Sequence, residues 1–185
     1  DTESMARKLQ LPFEDRVSKE NAVSAFVLCT QLGIDEDKLR QRIGMLTPLD
    51  MRMQIQSTGN SILLNDCYCL DITSLEAALD YLNTQDRNLE RCVILSDLQE
   101  KSEDIPETLK KINTLLKNKS ISFLYGIGMD FVNNASLFDI PHRFFADNKE
   151  FLAQIDTKDF FGKAVLLKGS RKAELEKITN LLEAQ

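Results

Sequence analysis

A single histidine, His142, stands in the 185 residues, and no serine or cysteine has a basic partner close to it in sequence. A nucleophile triad therefore has no support, because such a site is built on a positioned base. His142 follows Pro141 and reads as an ordinary loop or strand residue. Basic excess is lacking too: 23 Lys and Arg against 29 Asp and Glu give a net charge of -6 and a pI near 4.9. With no basic stripe to neutralise phosphates, a nucleic-acid footprint is excluded. No apolar run approaches the roughly 18 residues of a membrane span, and no signal-peptide pattern opens the chain. The expectation is a cytoplasmic protein without a membrane partner. The opening DTESMARKLQ has neither an initiator Met nor a targeting signal and reads as an excised piece.

Cysteine is sparse: Cys29, Cys67, Cys69 and Cys92. Cys67 and Cys69 stand too close for a relaxed zinc knuckle, lack a second pair, and have one histidine in the whole chain to join them. No metal site is expected; these are thiols of a reducing compartment. A phosphate-cradling G-x-x-x-x-G-K-[ST] loop is also missing. Gly162-Lys163 has no glycine five residues earlier and no Ser or Thr after it, and Gly126-Ile127-Gly128 is half a dinucleotide fingerprint, better read as a strand-to-helix turn.

What is present is an alternation. Residues 1–17 are polar and irregular. A helix capped by Ser18 follows, with Ala22, Ala25, Phe26, Cys29 and Leu32 at helical spacing and Gly33 as its stop. Asp35 caps a second helix, and Thr47-Pro48-Leu49 breaks the pattern. Here the reading places a boundary, with a helical segment at 1–47 and a second domain at 48–185. MRMQIQ (51–56) alternates in period two and pairs across Thr58-Gly59-Asn60 with the apolar run after Ser61. Strands then alternate with helices: a helix near 74–83, CVILSD (92–97), a helix from Ile105 to Leu116, ISFLYG (121–126), a short helix near 129–137, a strand at 143–146, a helix at 148–154, AVLLKG (164–169) and a last helix at 173–182. The fold class is α/β, a Rossmann-like doubly wound and mainly parallel sheet, preceded by a helical segment.

In such a sheet ligands gather at the carboxyl ends of the strands. Asp66 and Tyr68 fall there, as do Asp97 and Lys168. Lys168-Gly169-Ser170-Arg171 places a lysine, a flexible glycine, a hydroxyl and a guanidinium before the final helix, a set suited to an anion. The plainer readings stand beside these: Asp66 as a turn residue, Ser170 as a helix cap, Lys168 and Arg171 solvated.

The order of landmarks is more specific than any one of them. S-x-E-N-A with Asn21, Pro48-x-x-Met51-Arg52, Asp66-x-Tyr68 with Ser74-Leu75-x-x-Ala78-Leu79, Ser96-Asp97, and VLLKGSR with Glu176 in its helix follow one another. From about residue 18 onward this series resembles the carboxyl-terminal part of the Mur ligases, most of all the type that adds D-alanyl-D-alanine, in the version fused to alanine racemase. The resemblance implies residues 1–47 as the tail of the central ATP-binding domain and linker, and 48–185 as the third, Rossmann-like domain. It implies ATP and Mg2+ as cofactors, the magnesium held mainly by an upstream domain. Its substrates are UDP-N-acetylmuramoyl-tripeptide and D-alanyl-D-alanine, and its partners are the rest of the ligase chain and the fused racemase. Matched residue by residue, Asn21 contacts adenine, Arg52 reaches ATP phosphate, Asp66 binds the ribose and Tyr68 lines the nucleotide. Lys168, Ser170 and Arg171 meet the dipeptide, with Asp97 beside them. Two departures accompany it. The usual Y-N-x-N-P reads Tyr68-Cys69-Leu70-Asp71-Ile72, and G-D-M-x-E-L-G reads Ser96-Asp97-Leu98-Gln99-Glu100-Lys101. With no P-loop or catalytic residue here, the 185 residues alone are expected to be inactive. The alternatives are a receiver-like signalling module, using Asp66, Asp97 and Lys168, and a sibling ligase acting on folate or poly-amino acids.

Overall fold

The computed structural model describes residues 2–86, 88–98, 104–170 and 173–183. The chain divides into two compact units between Asp50 and Met51.

The first unit is three helices, α1 (Thr2–Leu9), α2 (Arg16–Gln31) and α3 (Glu36–Ile43). Where the sequence reads as irregular, α1 forms because Ala6 and Leu9 pack against Val23, Phe26 and Ile43. Tertiary burial thus stabilises an eight-residue segment too short to be helical alone. Helix α2 starts two residues before Ser18, and its cap is Asp15, whose carboxylate accepts the Ser18 N–H at 2.7 Å. It ends in a Schellman motif: with Gly33 at φ 82°, the Gly33 N–H reaches Thr30 O and the Ile34 N–H reaches Cys29 O. Asp35 caps α3 by accepting the Lys38 N–H at 3.0 Å.

The second unit holds a six-stranded sheet in the order β1 (Gln54–Thr58), β2 (Ser61–Asp66), β6 (Lys163–Lys168), β3 (Glu90–Ser96), β4 (Phe123–Ile127), β5 (His142–Phe145). All pairs are parallel except the β1–β2 hairpin. Apolar runs buried on both faces suit central strands, and successive residues divide between two cores. Leu64, Val93, Leu95, Leu124 and Leu166 point to one face, under α4 (Ile72–Asn83), α5 (Ile105–Asn118) and Phe131 of α6 (Met129–Asn133). Leu63, Cys92, Ile94, Tyr125, Val165 and Leu167 point to the other, under α7 (Asn148–Gln154) and α8 (Glu176–Glu183).

Helices α4, α5 and α6 thus follow β2, β3 and β4 onto one face, whereas α7 and α8 follow β5 and β6 onto the other. Neighbouring β6 and β3 send their loops to opposite faces, and so do β4 and β5. Each divergence opens a crevice at the carboxyl edge, the place where α/β sheets hold ligands. His142 lies in β5, its Nδ1–H donating to Ile140 O at 2.8 Å and its ring stacked on Phe144.

Candidate functional site

At the carboxyl edge the register sets Asp66 of β2 beside Lys168 of β6. Both side chains leave the same face of adjacent parallel strands, and the Lys168 ammonium donates to Asp66 Oδ2 at 2.5 Å. The Lys168 side chain is 0% exposed. In this arrangement its ammonium is engaged by Asp66, at the strand end where the resemblance places a residue that meets the dipeptide. The Coulombic attraction of Asp66 and the depth of β6 in the sheet keep it in place. Asp66 Oδ1 accepts the Met53 N–H at 3.3 Å. A carboxylate has about four acceptor positions, so the two used here leave two for hydroxyl donors.

Met53 ends a strained turn. Met51 and Met53 have φ of 61° and 49°, left-handed values that cost an L residue roughly 1–2 kcal/mol each. Strand β1 consequently starts at Gln54, three residues later than the alternation suggests. Between the two methionines, the Arg52 guanidinium lies 4.0 Å from the centre of the half-exposed Tyr68 ring. The structure thus brings Arg52, Asp66, Tyr68 and Lys168 together. Asn21 is exposed on α2, in the other unit.

Beyond Lys168 the chain turns over the end of β3. A Cβ on Gly169 would meet Ser96 Oγ at 2.4 Å, so only glycine passes. Ser170 is buried, and its N–H donates to Ser96 Oγ at 2.9 Å. Arg171 lies outside the described residues, as do Gln99 to Glu103 of the loop after β3.

Asp97, next along the edge, turns its carboxylate toward α6 and accepts the Asp130 N–H at 3.1 Å. Gly128 (φ 132°) lets the backbone pass so close that a Cβ would sit 2.0 Å from Asp97 Cγ. The protein's own carboxylate thereby fills the turn that the half-fingerprint Gly126-Ile127-Gly128 would need for a phosphate. Burial, and then the neighbouring Asp130 carboxylate, push the Asp97 carboxyl up to about 6, although amides of Asp130, Phe131 and Met129 pull the other way.

Ser96, Asp97, Gly128 and Ser170 line a cleft of about 410 Å³ together with Asp147, Asn148, Lys149, Glu174 and Lys177. The last five were not singled out from the sequence. The signal was there for three: Asp147-Asn148-Lys149 follows β5 as directly as Asp66 follows its own strand run. Among the described residues no cluster of three or more His, Cys, Asp or Glu side chains is arranged to hold a metal ion. No helix among them is long and apolar enough to cross a membrane. The four cysteines are free.

No protein-family model matches the sequence, and no curated protein matches it. Solved structures do. MurF from Acinetobacter baumannii superposes with a TM-score of 0.76 at 20% identity, over 95% of this chain and 39% of that one. The fold is that of a Mur-type ligase. MurF from Thermotoga maritima, crystallised with ADP, gives 0.63 at 14% identity, covering 86% of this chain and 36% of that one. A domain from a putative UDP-N-acetylmuramate:L-alanyl-gamma-D-glutamyl-medo-diaminopimelate ligase of Haemophilus ducreyi gives 0.53 at 13%, over 72% of this chain and 98% of that one. The chain thus spans about two fifths of the length of the MurF chains it resembles. At these identities the likeness establishes the Mur-type fold alone.

Proposed function

We propose that this chain is the carboxyl-terminal part of an ATP-dependent amide ligase that adds D-alanyl-D-alanine to UDP-N-acetylmuramoyl-tripeptide in cytoplasmic peptidoglycan precursor synthesis. The observation that carries the reading is the grouping of Arg52, Asp66 and Tyr68 at the carboxyl edge of a Mur-type fold. These are the residues that the sequence resemblance assigns to the nucleotide. The higher TM-score with MurF than with the Yersinia pestis folylpolyglutamate synthase/dihydrofolate synthase (0.76 against 0.55) favours the dipeptide-adding type over that sibling.

In this reading Arg52 supplies a permanent charge to ATP phosphate, Asp66 accepts from ribose hydroxyls, Tyr68 flanks the nucleotide and Asn21 meets adenine. ATP with Mg2+ supplies the activated phosphoryl group that makes the substrate carboxylate reactive. Lys168, Ser170, Arg171 and Asp97 are assigned to the dipeptide, with Ser170 and Asp97 lining the cleft and Lys168 held against Asp66. The domain contributes proximity and orientation. The rest of the ligase chain supplies the P-loop, and a fused alanine racemase would supply D-alanine nearby. A receiver module is less well supported, because Asp97 is bound to α6 rather than grouped with Asp66.

The test is phosphate release by the full-length ligase that carries this sequence, given ATP, Mg2+, the UDP-muramoyl-tripeptide and D-alanyl-D-alanine. Dipeptide-dependent release that drops tenfold or more in Arg52→Ala is expected, since a charge-assisted contact is worth about 1.5–3 kcal/mol. The 185-residue chain alone should release none. Release indifferent to the dipeptide would overturn the assignment.

A further inference from the structure

We propose that Lys168 is a positioning residue that acts through Asp66 on Arg52, holding the guanidinium over Tyr68 by fastening the backbone of residues 51–53.

Three observations converge. The Lys168 side chain is fully buried, with its ammonium 2.5 Å from Asp66 Oδ2. The other oxygen of Asp66 holds the Met53 N–H, on a turn whose two left-handed methionines persist only where the surroundings over-determine them. Arg52 lies between those methionines, and the ring it covers is two residues beyond Asp66. One buried cation is thereby connected, through a single carboxylate, to the turn that aims an exposed cation.

Removing the ammonium leaves a carboxylate in a dry site without its counter-charge, and it turns toward water. The Met53 hydrogen bond loosens, the turn relaxes toward ordinary φ values, and Arg52 leaves the ring. This extends the nucleotide contact proposed for Arg52 and Asp66. Its test uses no nucleotide, so failure of one idea is distinct from failure of the other.

The experiment is NMR on the 185-residue chain as wild type, Lys168→Met and Lys168→Met/Asp66→Asn. It reads the amide exchange of Met53 against that of Val93 and Ile94 in β3. It also reads the Arg52 Nε–H shift, which the Tyr68 ring current displaces. In Lys168→Met, Met53 exchange should rise at least tenfold more than that of β3, and the Arg52 signal should move to the position of free arginine. The double variant buries no unpaired charge, so β3 protection should return. Met53 and Arg52 should stay released there, because a neutral amide accepts more weakly and has no cation to orient it. Met53 exchange that rises only in step with β3, or a double variant that regains Met53 protection, would overturn the proposal and leave the pair a support of the fold.

Discussion

Gly128 passes so close to Asp97 that the glycine has no room for a side chain: a Cβ there would lie 2.0 Å from the carboxylate carbon. The contact sets the β4–α6 turn and places Asp97 under the amides of α6. Gly128→Ala must both displace Asp97 and hold alanine at φ 132°. A loss of about 1–3 kcal/mol is expected from crowding alone, more with the backbone strain. Urea denaturation would read it, and an unchanged midpoint would count against this packing.

Asp97 also gives stability a pH dependence. Its carboxyl is raised in the folded state to about 6, from an ordinary value near 3.8. Between those values the folded state binds more protons than the unfolded one. The contribution is present below the unfolded value and is lost as pH rises through about 6. Asp97→Asn should remove this slope between pH 4 and 6, which thermal melts of both proteins across that range would show. Parallel profiles would refute it.

Breaking the Asp66–Lys168 pair should be costly, and removing it whole should not. Lys168→Met leaves Asp66 uncompensated and should cost about 3–5 kcal/mol. Lys168→Met/Asp66→Leu should recover most of that in equilibrium unfolding. Equal losses in both variants would mean that the site depends on the charges themselves.

The four thiols should react in two classes. Cys67 and Cys92 are buried. Burial pushes the Cys92 thiol up to about 12 and raises that of Cys67 as well. Cys29 and Cys69 are partly exposed. At pH 8 an aromatic disulfide reagent should titrate two thiols promptly and the other two only after denaturant is added. Four prompt equivalents would contradict the burial of the sheet.

The alternation of strands and helices was legible because each central strand is a short apolar run and each helix has its own spacing. Asp66, Asp97 and Lys168 were legible as strand-end residues for the same reason. That Lys168 is taken up by Asp66 was not, since 102 residues separate them and only the insertion of β6 beside β2 sets their register. Helix α1 escaped because its apolar content becomes a helix face only with Phe26 against it. The cap at Asp15 was hidden by a nearer Ser18 with the same chemistry. The φ values of Met51 and Met53 leave no mark in sequence, because methionine is not a residue of left-handed turns.

The position of β6 has a consequence for how the chain folds. It is the last of the six strands in sequence, yet it lies between β2 and β3, hydrogen-bonded to both. During synthesis the β1–β2 hairpin and the β3–β4–β5 group can each form, but nothing joins them until residues 163–168 emerge. The two halves meanwhile expose the strand edges that β6 will cover, which invites wrong pairing and a chaperone's attention. The slow step is the closing of this long-range gap, and a truncation that removes β6 would leave two fragments of a sheet rather than a smaller domain.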